Sequence, residues 1–287
     1  NREFNKIENQ SSSDWIKKEI QELRNIKNLE IKTRTSVAAF HGYNYLLARE
    51  NLTDHLEKKD KQGKIRQRLL KIRAKKVILA TGALERPLIF NNNDRPGIML
   101  SSAVKKYADF YGVVSGKKNV FFTNNDSAYE SAFCLHNKGI NVEAIIDIRE
   151  SSNSKIVKAV EEAGIKIHWS HTIVDTSGYK RLNGISAMKL SNDGLSVTGN
   201  KINISCDCLG VAGGWTPAVH LFTQSGGKLK FDENDKIFLP NKYPSEQLSV
   251  GSCNGDFKLK EIINNLSINL KQFLKVNETD FDNILLE

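Results

Sequence analysis

Short apolar runs that end in glycine-containing turns predict a parallel α/β fold. The clearest run, at 77–80, reads V-I-L-A and ends at once in Thr81 and Gly82. A continuous apolar run of this length, closed by a turn, is typical of a strand buried on both faces of a sheet. A second predicted strand, at 201–211, stops in the same way at Ala212-Gly213-Gly214. Because ligands bind at the carboxyl ends of parallel strands, both strand ends are candidate binding edges.

Helical and alternating patterns fill the intervals between these runs. Apolar positions at helical spacing predict helices at 14–26, 100–111, 127–138, 153–163 and 257–275, the first of them capped by Asp14. Alternation predicts strands at 30–33, 35–40, 43–49, 65–74, 119–123, 142–147, 166–169, 237–240 and 248–250. Segments 173–175, 184–190 and 195–198 suit a small β-meander. The order strand, helix, strand over 119–147 is a complete βαβ unit.

Composition narrows the functional classes. A chain of 287 residues suits one large or two medium domains. Its net charge is +9, but the basic residues are spread out and no basic stripe with interleaved aromatics suggests nucleic-acid binding. We therefore do not expect nucleic acid as a partner. No run approaches the ~20 apolar residues of a membrane span, so we do not expect a membrane as a partner either.

The four cysteines are expected to be free thiols in a reducing cytoplasm. None belongs to a C-x-x-C pair, so the sequence suggests neither a redox dithiol nor a metal site. Cys206 and Cys208 alternate along the run at 201–211, which predicts that they share one face of a strand while Asp207 points to the other. Two residues of extended backbone are a poor spacing for a disulfide.

Five motifs together carry a family resemblance. They read ATGALERPLIF, NNDRPGIML, TNNDSAYE, GGWTP and VGSCNG and lie between residues 80 and 255, and the resemblance covers essentially the whole chain. The chain resembles the alpha subunit of bacterial heterotetrameric sarcosine oxidase. More broadly, it is similar to flavoprotein oxidoreductases with two dinucleotide-binding domains. The A-T-G triplet is a weak motif alone, whereas its combination with E-R-P and N-D-R-P-G is much more specific.

The resemblance implies an α/β protein with two Rossmann-like domains, parallel sheets and a small β-meander. The first domain would comprise residues 1–96 and 240–287, and it would be split by the second domain at 97–239. No G-x-G-x-x-G lies before residue 75, so the first domain is expected to lack its opening βαβ unit, which would lie upstream. The strands at 75–80 and 248–250 are then expected to be neighbours in an incomplete sheet.

The resemblance also implies which residues contact a dinucleotide. A strand ending in A-T-G lies against the cofactor, a hairpin start contacts its adenine half through the backbone, and the last turn closes over it. The matching positions are Val37, Ala80, Thr81, Gly82, Gly251, Asn254, Gly255, Asp256 and Lys258. The structural alternatives are an ordinary strand residue at Val37 and a tight turn with Asp256 as a helix cap.

The turn at 123–127 is a competing nucleotide site. It reads T-N-N-D-S and lacks the glycines that let a backbone approach a pyrophosphate. Asp126 adds negative charge beside a helix N-terminus, although Asp147 stands where an acid could hold ribose hydroxyls. We therefore interpret this turn as mainly structural. Trp215 could face a flavin or a partner subunit, or anchor packing.

The function implied by the resemblance is that of an oxidoreductase subunit that binds NAD in its first domain. In the family, FAD or FMN is held by, or shared with, a beta subunit, further small subunits complete the complex, and sarcosine is oxidatively demethylated to glycine. A folate-binding region takes up the one-carbon unit, and nothing like it is present here. No catalytic acid, base or nucleophile stands out. The alternatives are a subunit of an FAD/NAD-dependent amine or opine dehydrogenase, and a non-catalytic scaffold.

Overall fold

The computed structural model describes residues 6–7, 10–244 and 246–275. The strands are β1 (Lys6–Ile7), β2 (Gln10–Ser11), β3 (Thr35–His41), β4 (Tyr45–Asn51), β5 (Gln67–Arg73), β6 (Val77–Leu79), β7 (Ala83–Glu85), β8 (Ile98–Leu100), β9 (Asn119–Thr123), β10 (Val142–Asp147), β11 (Ile167–His168), β12 (His171–Ser177), β13 (Gly184–Leu190), β14 (Val197–Ser205), β15 (Cys208–Ala212), β16 (Trp215–Pro217), β17 (Lys228–Asp232), β18 (Ile237–Lys242) and β19 (Gln247–Ser249). The helices are α1 (Ser12–Arg24), α2 (Lys58–Lys61), α3 (Ser101–Phe110), α4 (Ser127–Asn137), α5 (Lys155–Glu162), α6 (His220–Gln224) and α7 (Leu259–Leu274). None of these helices combines the length and apolar character that a bilayer crossing requires.

The chain forms two compact units. The inserted unit runs from Glu85 to Trp215, and the divided unit comprises the described residues up to Leu84 and from Thr216 onwards. These divisions lie closer to the chain start than the predicted boundaries at 96/97 and 239/240. The reason is visible at α6, which packs against β3 and buries Phe222 with Phe40 in the core of the divided unit. Residues 276–287, assigned to the first domain from sequence, lie outside the described residues.

The inserted unit is built on a five-stranded parallel sheet in the order β11-β10-β9-β15-β8. Helices α3, α4 and α5 cover one face around a core that includes Phe121, and a second core containing Phe122 lies on the other face. Because both faces of the sheet are covered, β9, which reads N-V-F-F-T, is buried at every residue. On β15, a Cβ at Gly210 would lie 2.6 Å from the Phe121 ring, so only glycine fits beside that ring. The predicted α/β class with parallel sheets is confirmed.

The run at 201–211 is two strands rather than one. Its first half ends β14 in the antiparallel sheet β12-β13-β14, and its second half is β15 in the parallel sheet. The chain turns between them, so Cys206 packs in the core beside the meander and Cys208 in the core beneath the helices. The prediction that these cysteines share one face is therefore wrong. Asp207, at the turn, accepts hydrogen bonds from the backbone N–H groups of Lys117 (3.1 Å) and Lys118 (2.8 Å).

The N-N-D-R-P-G motif, residues 92–97, connects the meander to the segment that enters the parallel sheet by hydrogen bonds. The Asn92 side chain donates to Asp175 Oδ1 at 2.9 Å, and Arg95 Nε donates to Thr176 Oγ1 at 3.0 Å. Thr176 Oγ1 in turn donates to the Asn92 carbonyl at 3.0 Å. The motif therefore has a structural role within the inserted unit, which the sequence did not indicate.

The divided unit contains an antiparallel sheet β3-β4-β5, a parallel pair β6-β19 and a hairpin β17-β18. Phe40 and Leu46 pack against Val77 and Leu79, so the antiparallel sheet shares a core with the parallel pair. Asn44, buried in the β3–β4 turn, donates to the carbonyls of Lys75 (3.1 Å) and Glu246 (3.0 Å). These hydrogen bonds bind the turn to the amino ends of β6 and β19. The predicted pairing of β6 with β19 is confirmed.

Several predicted boundaries differ from the structure. Helix α1 begins at Ser12, and Ser11, not Asp14, accepts the capping hydrogen bond from the Asp14 backbone N–H. Residues 30–33 form no strand, and strands β8 and β17 were not predicted. Strands β7 and β16, which were not predicted either, pair with each other. Short segments of this kind depend on partners that are distant in sequence, so local pattern does not reveal them.

Candidate functional site

Strands β6 and β19 end side by side in the divided unit. They are parallel, with Val77 opposite Gln247 and Leu79 opposite Ser249. The ladder extends one step further, because the Val250 backbone N–H donates to the Leu79 carbonyl at 2.9 Å. The segment Ala80-Thr81-Gly82 and the turn that begins at Gly251 therefore leave the sheet at the same edge. We call residues 80–82 and 250–256 the carboxyl edge of the divided unit.

Two glycines give this edge its open character. Gly82 has φ +75° and Gly251 has φ +70°, a left-handed conformation that other residues adopt only with strain. A Cβ added to Gly82 would meet no atom within 4 Å, and one added to Gly251 would meet only Ile262 Cγ2 at 3.8 Å. The Cβ positions of both glycines therefore point into open space. Gly255 differs, because a Cβ there would lie 2.7 Å from Leu239 Cδ2, so its glycine serves packing.

The loop after β6 is held by hydrogen bonds within the divided unit. Thr81 Oγ1 donates to the Ala218 carbonyl at 2.8 Å, and the Ala218 backbone N–H donates to the Gly82 carbonyl at 2.9 Å. The side chain of Thr81 is thereby committed to the protein. The loop is therefore held in one position by the protein itself, and a ligand that bound there would not have to order it.

The turn after β19 is a short 3-10 helix over Gly251–Asn254. It ends at Gly255, which has φ +93°. Cys253 is buried, and its thiol lies 3.2 Å from the carbonyl oxygens of both Leu79 and Val250. This contact joins the ends of the two strands.

Asp256 and Lys258 lie between this turn and α7. The helix begins at Leu259 with Lys258 as its N-cap residue, so Asp256 does not cap it. The Asp256 carboxylate instead accepts a hydrogen bond from the Asn265 amide at 2.6 Å, and Lys258 forms an exposed ion pair with Glu261 at 3.0 Å. A strand–turn–helix unit was expected here. The structure places four residues, 255–258, between the 3-10 turn that begins at Gly251 and the start of α7.

Val37 lies in a different sheet. It is in β3, opposite Ala48 in β4, and its side chain is partly exposed. The ladder is irregular between Val37 and Ala39. The structure thus brings Ala80, Thr81, Gly82 and Gly251 together at one edge, whereas Val37 belongs to the antiparallel sheet.

The turn at 123–127 in the inserted unit uses its own hydrogen-bonding groups. The Asn125 N–H donates to Thr123 Oγ1 (3.0 Å), and the Ser127 N–H donates to Asn125 Oδ1 (3.0 Å). The Asn124 N–H donates to the Ala212 carbonyl at 3.3 Å. A pyrophosphate bound at such a turn requires free N–H groups, and these three are engaged. The geometry agrees with the interpretation of this turn as mainly structural.

Asp147 is engaged as well. It is fully buried, and it accepts hydrogen bonds from Tyr129 Oη at 2.7 Å and from Arg149 Nη2 at 2.8 Å. Arg149 also donates to Asp126 Oδ1 at 2.8 Å, so Asp126 is not an isolated charge beside α4. Burial raises the pKa of Tyr129, as does the neighbouring Asp147. Sequence reasoning missed Arg149; its position two residues after Asp147 was the available signal.

The E-R-P and G-G-W motifs meet at the other predicted strand end. The Arg86 N–H donates to the Gly214 carbonyl (2.8 Å), and the Gly213 N–H donates to the Arg86 carbonyl (2.6 Å). A Cβ on Gly213 would lie 2.8 Å from the Pro87 carbonyl oxygen, so this close approach requires glycine. Trp215, which follows, is half-buried.

Within the described part of the chain, no group of three or more His, Cys, Asp or Glu side chains could hold a metal ion.

Glu85 caps helix α3 from outside the helix. Its Oε2 accepts hydrogen bonds from the Ser102 backbone N–H (2.8 Å) and hydroxyl (2.6 Å). Burial raises the pKa of Glu85 above its ordinary value of 4.5, and the hydrogen bonds from Ser102 oppose this rise only in part. A carboxyl whose pKa is higher in the folded state than in the unfolded state adds to the free energy of unfolding, and it does so in full at pH values below its pKa in the unfolded state. That contribution is lost as the pH rises through the folded pKa.

We therefore expect the stability of the wild-type protein to fall relative to Glu85→Gln as the pH rises above about 4.5, because glutamine does not ionise. Urea unfolding of both proteins at a series of pH values from 4 to about 8 measures the difference. A difference that stays constant with pH would show that Glu85 titrates normally.

All four cysteines are unpaired and buried. Burial raises the pKa of Cys206 to about 12, with smaller contributions from Cys208 and Asp207, and burial raises the pKa of Cys208 to about 12 as well. The thiolate is the reactive form, so both groups should resist modification at neutral pH. During alkylation, the unfolded, unreduced protein should react at all four cysteines. Over the same time, we expect Cys206 and Cys208 of the native protein to stay unmodified. Mass spectrometry after alkylation tests this, and fewer than four reactive thiols in the unfolded protein would contradict it.

Comparison with known proteins confirms the resemblance. The chain is 37% identical over 253 residues to the sarcosine oxidase subunit alpha of Corynebacterium sp. (strain P-1), which covers 88% of this chain and 26% of that protein. It is 33% identical over 236 residues to the sarcosine oxidase subunit alpha of Rhizobium meliloti (strain 1021), covering 81% of this chain and 22% of that protein. The chain thus spans about a quarter of the length of the curated relatives it matches. No protein-family model matches the sequence.

Solved structures share the fold. L-proline dehydrogenase from P. horikoshii matches with a TM-score of 0.62 and 19% identity, over 100% of this chain and 51% of that one. Thioredoxin reductase from T. acidophilum matches with a TM-score of 0.60 and 17% identity, over 87% of this chain and 75% of that one. The chain therefore has the Rossmann-type α/β fold of such oxidoreductases.

Proposed function

We propose that this chain, which is related to one segment of the alpha subunits of sarcosine oxidase, is part of an oxidoreductase subunit and binds a nicotinamide dinucleotide. The binding site is the carboxyl edge of the divided unit. One observation carries the proposal, namely the contrast between the two candidate turns. The glycine turns at 82 and 251 face open space, whereas three N–H groups of the turn at 123–127 donate to the protein itself.

The residues at the edge fit such a ligand. A dinucleotide needs close approach to the backbone, and the vacant Cβ positions of Gly82 and Gly251 provide it. The ends of two parallel strands are also where ligands bind in α/β sheets. Asn254 and Gly255 complete the turn, with Asp256 and Lys258 beside it at the start of α7. Following the family, Ala80 and Thr81 line the strand end, and Val37 contributes a backbone contact to the adenine half.

The chemistry of the complete enzyme follows the relatives. A flavin, FAD or FMN, held by or shared with a beta subunit, would supply oxidation of the amine. The reaction is the oxidative demethylation of sarcosine to glycine, with further small subunits in the complex. The residues of this chain bind and orient the dinucleotide; we assign none of them a catalytic role.

The experiment is calorimetric titration of NAD and, separately, FAD into the full-length protein. The expected result is saturable binding of NAD. If neither dinucleotide binds, the chain is a non-catalytic scaffold. If NAD binds but a panel of secondary amines is oxidised in preference to sarcosine, the protein is an amine or opine dehydrogenase subunit instead.

A further inference from the structure

The inserted unit exposes a contiguous apolar surface at the end of α3. Tyr107, Phe110 and Tyr111 are exposed there, with Phe110 at 76%, and Val113 and Val114 extend the patch. The Tyr111 ring lies 4.9 Å from the Phe110 ring and 6.0 Å from the Tyr107 ring, so the three aromatics form one surface. Apolar residues scattered singly on a surface are ordinary, but a continuous aromatic and aliphatic patch marks an interaction site.

A groove of about 510 Å³ adjoins this patch. Its lining includes Tyr107, Val113 and Val114 of the patch, together with Pro96, Met99 and Arg181. Aromatic residues, Met and Arg are the residue types enriched in protein–protein interfaces. The groove can therefore receive an apolar anchor side chain while the aromatic patch covers the surface around it.

The groove is rigid on the side of the 112–118 loop. A Cβ on Gly116 would lie 2.5 Å from Cys208 Cβ, so the loop is packed tightly onto β15. The Asp207 carboxylate fixes the same loop through the N–H groups of Lys117 and Lys118. A preformed surface loses little conformational entropy on binding, as a docking site requires.

The charges around the groove select the partner. Arg181 is exposed in the lining and forms an ion pair with Asp207 at 4.0 Å, and Asp207 also accepts hydrogen bonds from the backbone N–H groups of Lys117 and Lys118, whose side chains are exposed. These three basic groups and one carboxylate leave a net positive charge beside the groove, which we call its basic rim. A second copy of this chain would bring the same basic rim, and like charges brought together at an interface oppose association. An acidic partner would be attracted to the rim.

We propose that this surface docks a segment of a different polypeptide, one with an aromatic or aliphatic anchor flanked by acidic residues. The anchor enters the groove, and the carboxylates face Lys117, Lys118 and Arg181. This proposal is independent of the dinucleotide site, because every residue named belongs to the inserted unit.

The test is photo-crosslinking of the full-length protein within the complex in which the cell produces it. A photoreactive phenylalanine analogue replaces Phe110 in one variant and Leu195 in a control, since Leu195 is as exposed but lies in the β13–β14 turn. We expect the analogue at 110 to form an adduct with another polypeptide, at a segment where Asp and Glu outnumber Lys and Arg. Adding Arg181→Glu should lower the yield at least threefold.

Several results would overturn the proposal. They are an adduct with a second copy of the chain, an adduct with another part of the same polypeptide, an adduct with a basic segment, and no adduct above that of the Leu195 control. An unchanged yield in the Arg181→Glu variant would show that the basic rim does not select the partner. Phe110 is mostly exposed, so its replacement leaves the fold intact, and circular dichroism confirms this for each variant.

Discussion

Replacing Gly82 or Gly251 by valine is expected to weaken NAD binding by the full-length protein at least tenfold, about 1.4 kcal/mol. Both glycines have positive φ values, and a Cβ at either position would enter the open space of the carboxyl edge. The added side chains would then occupy the space through which a dinucleotide approaches the protein backbone. Isothermal titration of each variant with NAD measures the loss.

Two control variants separate binding from backbone strain. Gly194 has φ +68° and no atom within 4 Å of an added Cβ, and it lies in the β13–β14 turn of the inserted unit. Gly194→Val should cost similar strain and leave NAD affinity unchanged. Asn124→Val should also leave it nearly unchanged. If Asn124→Val abolishes binding while both edge glycine variants bind normally, the nucleotide site is in the inserted unit.

Replacing Asp147 by alanine is expected to lower the free energy of unfolding by about 3 kcal/mol. The change removes the carboxylate that accepts hydrogen bonds from Tyr129 and Arg149, and it leaves the largely buried guanidinium with Asp126 as its charged partner. The cost should lie at the lower end of the range for broken buried ion pairs, because Arg149 remains 28% exposed. Urea-induced unfolding followed by circular dichroism measures it.

Tyr129→Phe is the matched control for this network. It deletes one hydroxyl and keeps the ion pair between Asp147 and Arg149, so the expected loss is about 1–2 kcal/mol. Equal losses in the two variants would mean that the ion pair contributes nothing to stability. The aromatic ring stays in place, and its stacking on Trp169 with centroids 6.0 Å apart is preserved.

The sequence predicted the elements whose signals are local. Strands β9, β10 and β13 have the predicted bounds, because apolar runs and alternation closed by turns are visible without knowledge of the fold. It failed at 201–211, where an alternating meander strand runs directly into a buried parallel strand. The corner at Cys206 and Asp207 contains no glycine or proline, so the pattern shows no break there.

The candidate site was predictable in its strands and less so in its polar groups. The pairing of β6 with β19 follows from two strand-end motifs that the family resemblance brings together, and the structure confirms it. The positions of Asp256 and Lys258 depend on a 3-10 turn that no local signal marks. Likewise, the bridge from Asp126 to Arg149 joins two strand-end loops that only the sheet order makes adjacent.

The place of β15 in the sheet also constrains the order in which the chain can acquire its structure. β15 lies between β8 and β9, although it follows both in sequence and the whole meander intervenes. During synthesis from the amino terminus, β8 therefore has no hydrogen-bonded neighbour in this sheet until Cys208–Ala212 has left the ribosome. Until then the Phe121 ring lacks the Gly210 backbone on which it rests. A nascent chain arrested before residue 208 would thus present the open edges of β8 and β9 to chaperones, as exposed strand edges do in slow-folding, non-local topologies.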